Sequence, residues 1–408
     1  MKIAVWLDTD MCETVGGGFS YHDRLVHAID NYSFDPSLDI CFVSCGNVGK
    51  LKLKRETILL EYEEKPTLAE KIKTKIPLHR QRFKTLVSDR LNECREQAFV
   101  DQLRKNGVRL VYHITPAYSL LSSKHLIDFP FITTHWDIGH RSTYAFPEVA
   151  SAREIEYRDH YYNNTISHAF MVFCESKAGK EELLHYTTLN PDKIKIVPIF
   201  PGKNGMIDVS VDNQQRILSE LGLQKHKFFY YPAQFWAHKN HYTLVCAFEQ
   251  FVKKHSEYKL ILTGSDKGNL QYIKETVKHL HIQDSVVFAN FVSPESVNTL
   301  YRNATAMVMP TVMGPTNMPP LEAMDAGCPV ICSDFPGHRE ELGDAAIYVN
   351  PLSQTEILSA FDDMIAHREN YAGLIKKQKN ITPHTIENAL RCINNHLLEA
   401  AKIRSLWQ

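Results

Sequence analysis

Short apolar runs of strand length alternate with longer helical or loop segments along the whole of this 408-residue chain, and that alternation restricts the fold more than any other feature. In the first half the runs are residues 2–7, 38–44, 109–114, 131–135 and 169–174. In the second half they are 228–231, 259–263, 285–289, 306–309, 329–332 and 345–349. Parallel neighbours in a sheet need crossovers of about a dozen residues or more. Two successive βαβ series therefore predict an α/β chain with two doubly wound, Rossmann-like domains. The stretch Ile199-Phe-Pro-Gly-Lys-Asn-Gly-Met-Ile-Asp208, with its proline and two glycines, marks the boundary between them. The expected division is 1–203, 204–385 and a C-terminal helical segment 386–408.

The segment from Ala306 to Ser333 reads as strand, loop, helix, strand. Thr316 or Asn317 can cap the helix, and Pro319 and Pro320 suit its first turn. The free N–H groups near Met318 would then face the loop mouth, where a phosphate fits. Glu322 stands one turn inside that helix as a lone carboxylate.

As a pattern, Pro319-Pro-Leu-Glu-Ala-Met324, then Gly327-Cys-Pro-Val330, Gly337 and Glu340-Glu-Leu-Gly-Asp344, resembles the donor-binding segment of family 4 glycosyltransferases, also called the glycosyl transferases group 1 family. The resemblance implies retaining chemistry and the GT-B fold, with two domains facing a central cleft and a last helix crossing back to the first. It gives Glu322 the ribose of a nucleotide sugar, and an ionised carboxylate suits a vicinal diol because charge-assisted hydrogen bonds are about twice as strong as neutral ones.

A second match is Tyr231-Pro-Ala-Gln-Phe-Trp-Ala-His-Lys-Asn-His241, at a strand-to-helix turn. In the family a basic pair here holds the diphosphate. This chain keeps Lys239 and has Gln234 where the arginine would be, with His238 as a further cation if protonated. The family's E-x7-E motif is also varied, since Gly314 replaces the first glutamate; Gly314, Thr316 and Asn317 then offer close backbone approach and polar groups for sugar hydroxyls.

Gly16, Gly17 and Gly18, after the first strand, match the family's glycine-rich loop against the donor phosphates. Phe131-Ile-Thr-Thr-His-Trp-Asp137 resembles its acceptor-side turn, with His135 facing the cleft. The resemblance thus implies Lys239, Glu322 and His135 as the catalytic set. It implies Gly16, Gly17, Gly18, Gln234, Lys239, Gly314, Thr316, Asn317, Met318 and Glu322 as the donor site.

Composition limits the partners. Lys plus Arg number 46 and Asp plus Glu 47, a formal charge of -1, so overall electrostatics give no case for nucleic acid. No apolar run approaches the roughly 18 residues of a membrane span, and nothing near the N-terminus has signal-peptide organisation, so a cytoplasmic location is expected. The inner membrane face stays open, because residues 71–84 hold six Lys or Arg and no acid; a solvated face is the plainer reading, and Pro77 interrupts any single helix. Nine cysteines without C-x-x-C pairs point to reduced thiols, with Cys41, Cys174, Cys328 and Cys332 as core filler. Neither Asp8-Thr9-Asp10 nor His135, Asp137 and His140 has the context of a metal site, so no metal or cofactor is expected.

The function expected is transfer of a hexose-type sugar from a UDP- or GDP-sugar to a saccharide or lipid-linked acceptor. Bacterial capsule or O-antigen synthesis is the setting by analogy. A non-catalytic nucleotide-sugar-binding subunit and a GT-B-type nucleotide-sugar 2-epimerase are the alternatives.

Overall fold

The computed structural model describes residues 1–8, 16–46, 48, 51–62, 81–120 and 125–407. Strands β1 (Lys2–Trp6), β2 (Asp39–Ser44), β3 (Thr57–Leu59), β4 (Val108–His113), β5 (Phe131–His135), β6 (Met171–Cys174) and β7 (Ile194–Ile196) form one sheet in the order β3-β2-β1-β4-β5-β6-β7. Strands β8 (Phe228–Pro232), β9 (Lys259–Thr263), β10 (Val286–Asn290), β11 (Ala306–Met309), β12 (Val330–Ser333) and β13 (Ala346–Val349) form the other, ordered β10-β9-β8-β11-β12-β13. Pairing is parallel throughout, as the crossover lengths require; β1, for example, matches Lys2 with Asp39 and Trp6 with Val43. Both faces of the first sheet are covered. Ile3 and Val5 pack with Leu25 and Ile29 of the helix Gly17–Asn31, while Ala4 joins Cys41, Val111 and Leu103 on the opposite face. That double burial explains why these strands read as apolar runs rather than alternating ones. The architecture is GT-B.

Two strands escaped the sequence pattern, β3 and β7, each of three residues. Both lie at sheet edges, where a short run with an exposed or charged member carries little apolar signal. Lys195, the middle residue of β7, pairs with Glu399 at 2.7 Å.

The final helix, Ile386–Arg404, crosses back to the first sheet's side. Asn394 Oδ1 accepts from the Asp35 N–H at 2.9 Å and His396 Nε2 donates to Ile196 O at 3.3 Å. Between β5 and β6 the chain forms Ala152–His160, a π-helical turn Tyr161–Thr165 and Ile166–His168. The wider turn directs consecutive tyrosines inward, Tyr161 to Thr133 Oγ1 at 2.8 Å and Tyr162 to His135 Nδ1 at 3.1 Å. Cys328 precedes β12 rather than lying in it, and is buried all the same. Among the described residues no helix is long and apolar enough to cross a membrane. Of the basic segment, residues 71–80 lie outside the described residues and 81–84 begin the helix Gln81–Lys105.

In the second domain Phe361 is fully buried, its ring centroid 4.4 Å from that of Phe229 and 5.3 Å from that of Phe251. Phe361→Ala is expected to destabilise this domain by about 3–5 kcal/mol. The measurement is a urea titration, in which the midpoint falls while the slope is unchanged.

Candidate active site

A cavity of about 860 Å³ lies between the two sheets, bordered by residues that follow β1, β5, β6, β8, β9 and β10. Open α/β sheets bind ligands beyond the carboxyl ends of their strands, and here two such edges face each other. The volume falls in the range of ligand pockets, about 300–1,000 Å³.

Glu322 lines the cavity. The helix that carries it, Met318–Ala326, starts at the cavity wall. Tyr301 O–H donates to Glu322 Oε2 at 3.2 Å and Asn204 Nδ2 to Oε1 at 3.3 Å. Burial nonetheless pushes the carboxyl up to about 7. The interdomain chain lies directly on this helix. A Cβ at Gly202 would fall 1.9 Å from Glu322 Oε1, and one at Gly205 would fall 2.3 Å from the Glu322 carbonyl oxygen. The glycines that mark the boundary in the sequence thus allow the connection to cover the glutamate.

Lys239 also lines the cavity; it ends a 3-10 turn after β8 and donates from Nζ to Asn317 Oδ1 at 3.1 Å. Loss of hydration lowers the ammonium to about 8, against the opposing fields of Asp137 and Glu148. Asn317 occupies the N-cap position of the helix, yet its side chain does not cap, which corrects the expected capping role. Its amide is used elsewhere. Nδ2 donates to His338 Nε2 at 3.1 Å, and His338 Nδ1 donates to Ser333 O at 2.8 Å. The carbonyl can only accept, so the chain of bonds fixes the histidine tautomer and turns the Asn317 oxygen toward Lys239. The Asn317 N–H donates to Glu341 Oε1 at 3.0 Å.

The first domain supplies Gly16, Gly17 and Gly18 to the same cavity. Only Gly16 has positive φ, 89°, because the helix begins at Gly17 and its first N–H groups have no intrahelical acceptors. A Cβ on Gly16 would approach Gln234 Nε2 to 3.0 Å, so the two domains meet there. Thr316, Asn317 and Met318 also line the cavity.

Two expected members do not reach it. Gly314 is a turn residue with φ 102°, and its absent Cβ leaves room for the Asn317 side chain. His135 is 1% exposed behind the wall formed by its neighbours Trp136 and Asp137, which corrects the expectation that it faces the cleft. Burial lowers its imidazole to about 4. His238 is not a free cation either, since Glu148 of the first domain engages both its N–H, at 2.8 Å, and its Nδ1. Asp137 pairs with Arg158 at 2.9 Å and His140 with Asp159 at 3.0 Å, which divides the His135, Asp137 and His140 trio among other partners. Of Asp8-Thr9-Asp10, only Asp8 is among the described residues.

Several contributors were not singled out in the sequence. Tyr301 and Asn204 hold Glu322, His338 and Glu341 hold Asn317, and Glu175 lines the cavity with its Oε2 accepting from Thr316 Oγ1 at 3.0 Å. Glu175 immediately follows β6, so the rule that sites form at strand carboxyl ends was the signal available for it.

Residues 213–381 match the sequence model of the family described as Glycosyl transferases group 1. Over those residues the chain is similar to a group 1 glycosyltransferase domain. The O-antigen chain mannosyltransferase RfbU of Salmonella typhimurium is 29% identical over 179 residues, 43% of this chain and 48% of that one. An uncharacterized glycosyltransferase of Methanocaldococcus jannaschii is 25% identical over 252 residues, 60% of this chain and 62% of that one. The chain spans about half the length of the curated relatives it matches. In fold, it is similar to Anabaena HepE in complex with UDP and glucose, with a TM-score of 0.68 over 98% of this chain and 99% of that one at 14% identity. A glycosyltransferase from Rickettsia africae gives 0.67 over 97% and 98%, also at 14% identity. The group 1 domain contains Gln234, Lys239, Asn317 and Glu322, whereas the glycines at 16–18 and Glu175 reach the cavity from outside it.

Because Glu322 titrates higher when folded than its usual value of 4.5, its burial costs nothing below that value and costs progressively more as pH rises to about 7. Glu322→Gln is expected to melt near wild type at pH 4.5 and several degrees above it at pH 8. Melting curves of the ligand-free proteins at the two pH values check this.

Proposed function

We propose that this chain is a retaining glycosyltransferase that moves a hexose-type sugar from a nucleoside diphosphate sugar to a saccharide or lipid-linked acceptor. The observation that supports it best is that Glu322, Lys239 and the start of the Met318–Ala326 helix share one interdomain cavity with the Gly16–Gly18 helix start. In this reading Glu322 takes the ribose hydroxyls. Lys239, the Met318 N–H and the N–H groups at the start of the Gly17–Asn31 helix take the diphosphate.

Chemistry follows from that placement. The bond from the sugar's anomeric carbon to the diphosphate breaks as the bond from the acceptor oxygen forms on the same face, and the acceptor's proton leaves with the diphosphate. Negative charge grows on the leaving group, next to an ammonium held by Asn317. The barrier is lowered because those donors are already oriented. Closure of the two domains over the cleft keeps water from intercepting the sugar.

UDP- or GDP-linked hexoses are the proposed donors, and cytoplasmic assembly of a surface polysaccharide is the proposed setting. The likeness to an O-antigen chain mannosyltransferase supports the latter. The proposed domain limits are 1–203 and 204–385, with 386–408 returning to the first domain.

A thermal-shift screen against UDP, GDP, ADP and their sugar conjugates is expected to give a selective rise in melting temperature. A hundredfold excess over Kd stabilises by about 2.7 kcal/mol. Lys239→Ala and Glu322→Ala are each expected to weaken that nucleotide about 10- to 100-fold, the loss of one charge-assisted contact. Binding by the wild type should also weaken as pH rises through about 8, where Lys239 loses its proton, and Lys239→Ala should abolish that pH dependence. Product analysis separates the alternatives: a transferase releases nucleotide, an epimerase alters the donor without acceptor, and a binding subunit does neither. No shift with any nucleotide would sink the proposal.

A further inference from the structure

Glu175 is an acid that neither domain uses for its own stability. It is 7% exposed and lines the cavity. Thr316 Oγ1 satisfies Oε2 at 3.0 Å, whereas Oε1 takes no hydrogen bond from a described residue and is not sealed from solvent, so it opens on the cavity. Among the described residues no cation's field is coupled to it. The groups whose fields couple to it are Asp137 after β5, Glu341 of the helix Pro336–Leu342, Tyr21 of the helix Gly17–Asn31, Tyr112 of β4 and Cys174 of β6. A buried polar group left without partners costs folding free energy, so a ligand is the natural source of the missing bond.

Position says which part of a ligand that is. Thr316 lies just before the helix start and Glu322 five residues into the helix, so the Glu175 contact is roughly 8 Å from Glu322 along the helix axis. Lys239 bonds Asn317 at the helix start, between Thr316 and Glu322 in the chain, so in the glycosyltransferase reading the acid meets the donor beyond its diphosphate, away from the ribose. Asp137 also borders the cavity, but its Oδ1 is committed to Arg158 and to the Gly139 N–H, both at 2.9 Å. The loop 314–317 carries no acid of its own. Burial pushes Glu175 up to about 8, so near neutral pH it presents one donor and one acceptor, the pattern that matches a hydroxyl rather than a phosphate.

We infer that Glu175 binds a hydroxyl group of the transferred sugar and thereby helps select the donor. The inference rests on the glycosyltransferase reading above. It makes Glu175 a specificity-determining residue contributed by the domain opposite the group 1 domain.

The test is titration calorimetry of wild type, Glu175→Ala and Glu175→Gln with UDP, UDP-glucose, GDP and GDP-mannose. The quantity read is the ratio of Kd for each diphosphate to Kd for its sugar conjugate. Glu175→Ala is expected to reduce that ratio about tenfold while leaving the diphosphate within about twofold of wild type, a loss confined to the sugar. Glu175→Gln keeps a donor and an acceptor in the same shape and does not titrate, so it should retain most of the ratio and remove the change that the wild type shows between pH 7 and 9. Should the alanine variant not fold, the pH profile of the glutamine variant decides, and a profile identical to wild type overturns the inference. An unchanged ratio in Glu175→Ala, or equal weakening of diphosphate and conjugate, overturns it alone. Failure of the wild type to bind any of the four probes overturns it together with the glycosyltransferase reading.

Discussion

One amide, that of Asn317, joins the parts of the cleft that must keep fixed positions. Its oxygen accepts from Lys239 while its nitrogen donates to His338, whose other nitrogen is tied to the backbone of β12 at Ser333. Its own N–H is taken by Glu341. The turn after β8, the loop after β11, the end of β12 and the helix Pro336–Leu342 therefore meet at one residue. Without this arrangement a half-dehydrated ammonium would have no fixed acceptor in the empty cleft, and the helix start beside it would have no fixed register. The ligand-free protein already holds the Lys239 ammonium beside that helix start, which is the condition for electrostatic stabilisation without reorganisation.

The acids around the cavity follow a different logic. Glu322, Glu175 and Glu341 are all buried, and the hydrogen bonds that reach them come from neutral hydroxyl, amide or backbone groups. Desolvation is the leading cause of each upward shift. Fields of neighbouring acids add to it, and cations do little to offset it. Such groups are poor contributors to stability. Their cost is consistent with a cavity arranged for an occupant rather than for the empty fold.

Several contacts between the domains are polar. Glu340 accepts from the Lys177 N–H at 3.0 Å and the Ala178 N–H at 3.3 Å, at the start of the helix Lys177–Tyr186, and Glu148 engages His238. Arg24 donates to the carbonyl oxygens of Pro201 and Gly202, clamping the connection that covers Glu322. Water can replace such links, as expected for surfaces that part and rejoin around a ligand.

Local residue patterns determined much of this protein. The apolar runs that became β1, β2, β4, β5, β6 and all six strands of the second sheet were readable because parallel strands covered on both faces need continuous apolar stretches. Gly16, Lys239 and Glu322 were singled out through the family resemblance of the motifs around them, and all three line the cavity. The edge strands β3 and β7 were not, since three residues carry too little pattern. The rest was decided by tertiary structure. Nothing adjacent in sequence tells that Asn317 would leave its cap to hold Lys239, that His135 would be walled off by Trp136 and Asp137, or that Glu175 would meet Thr316, 141 positions away. Burial and hydrogen-bond partners are properties of chain crossings, and the protonation states at this cleft follow from them. Identity alone therefore settled which groups are available, and packing settled which of them are charged, satisfied or free to take a ligand.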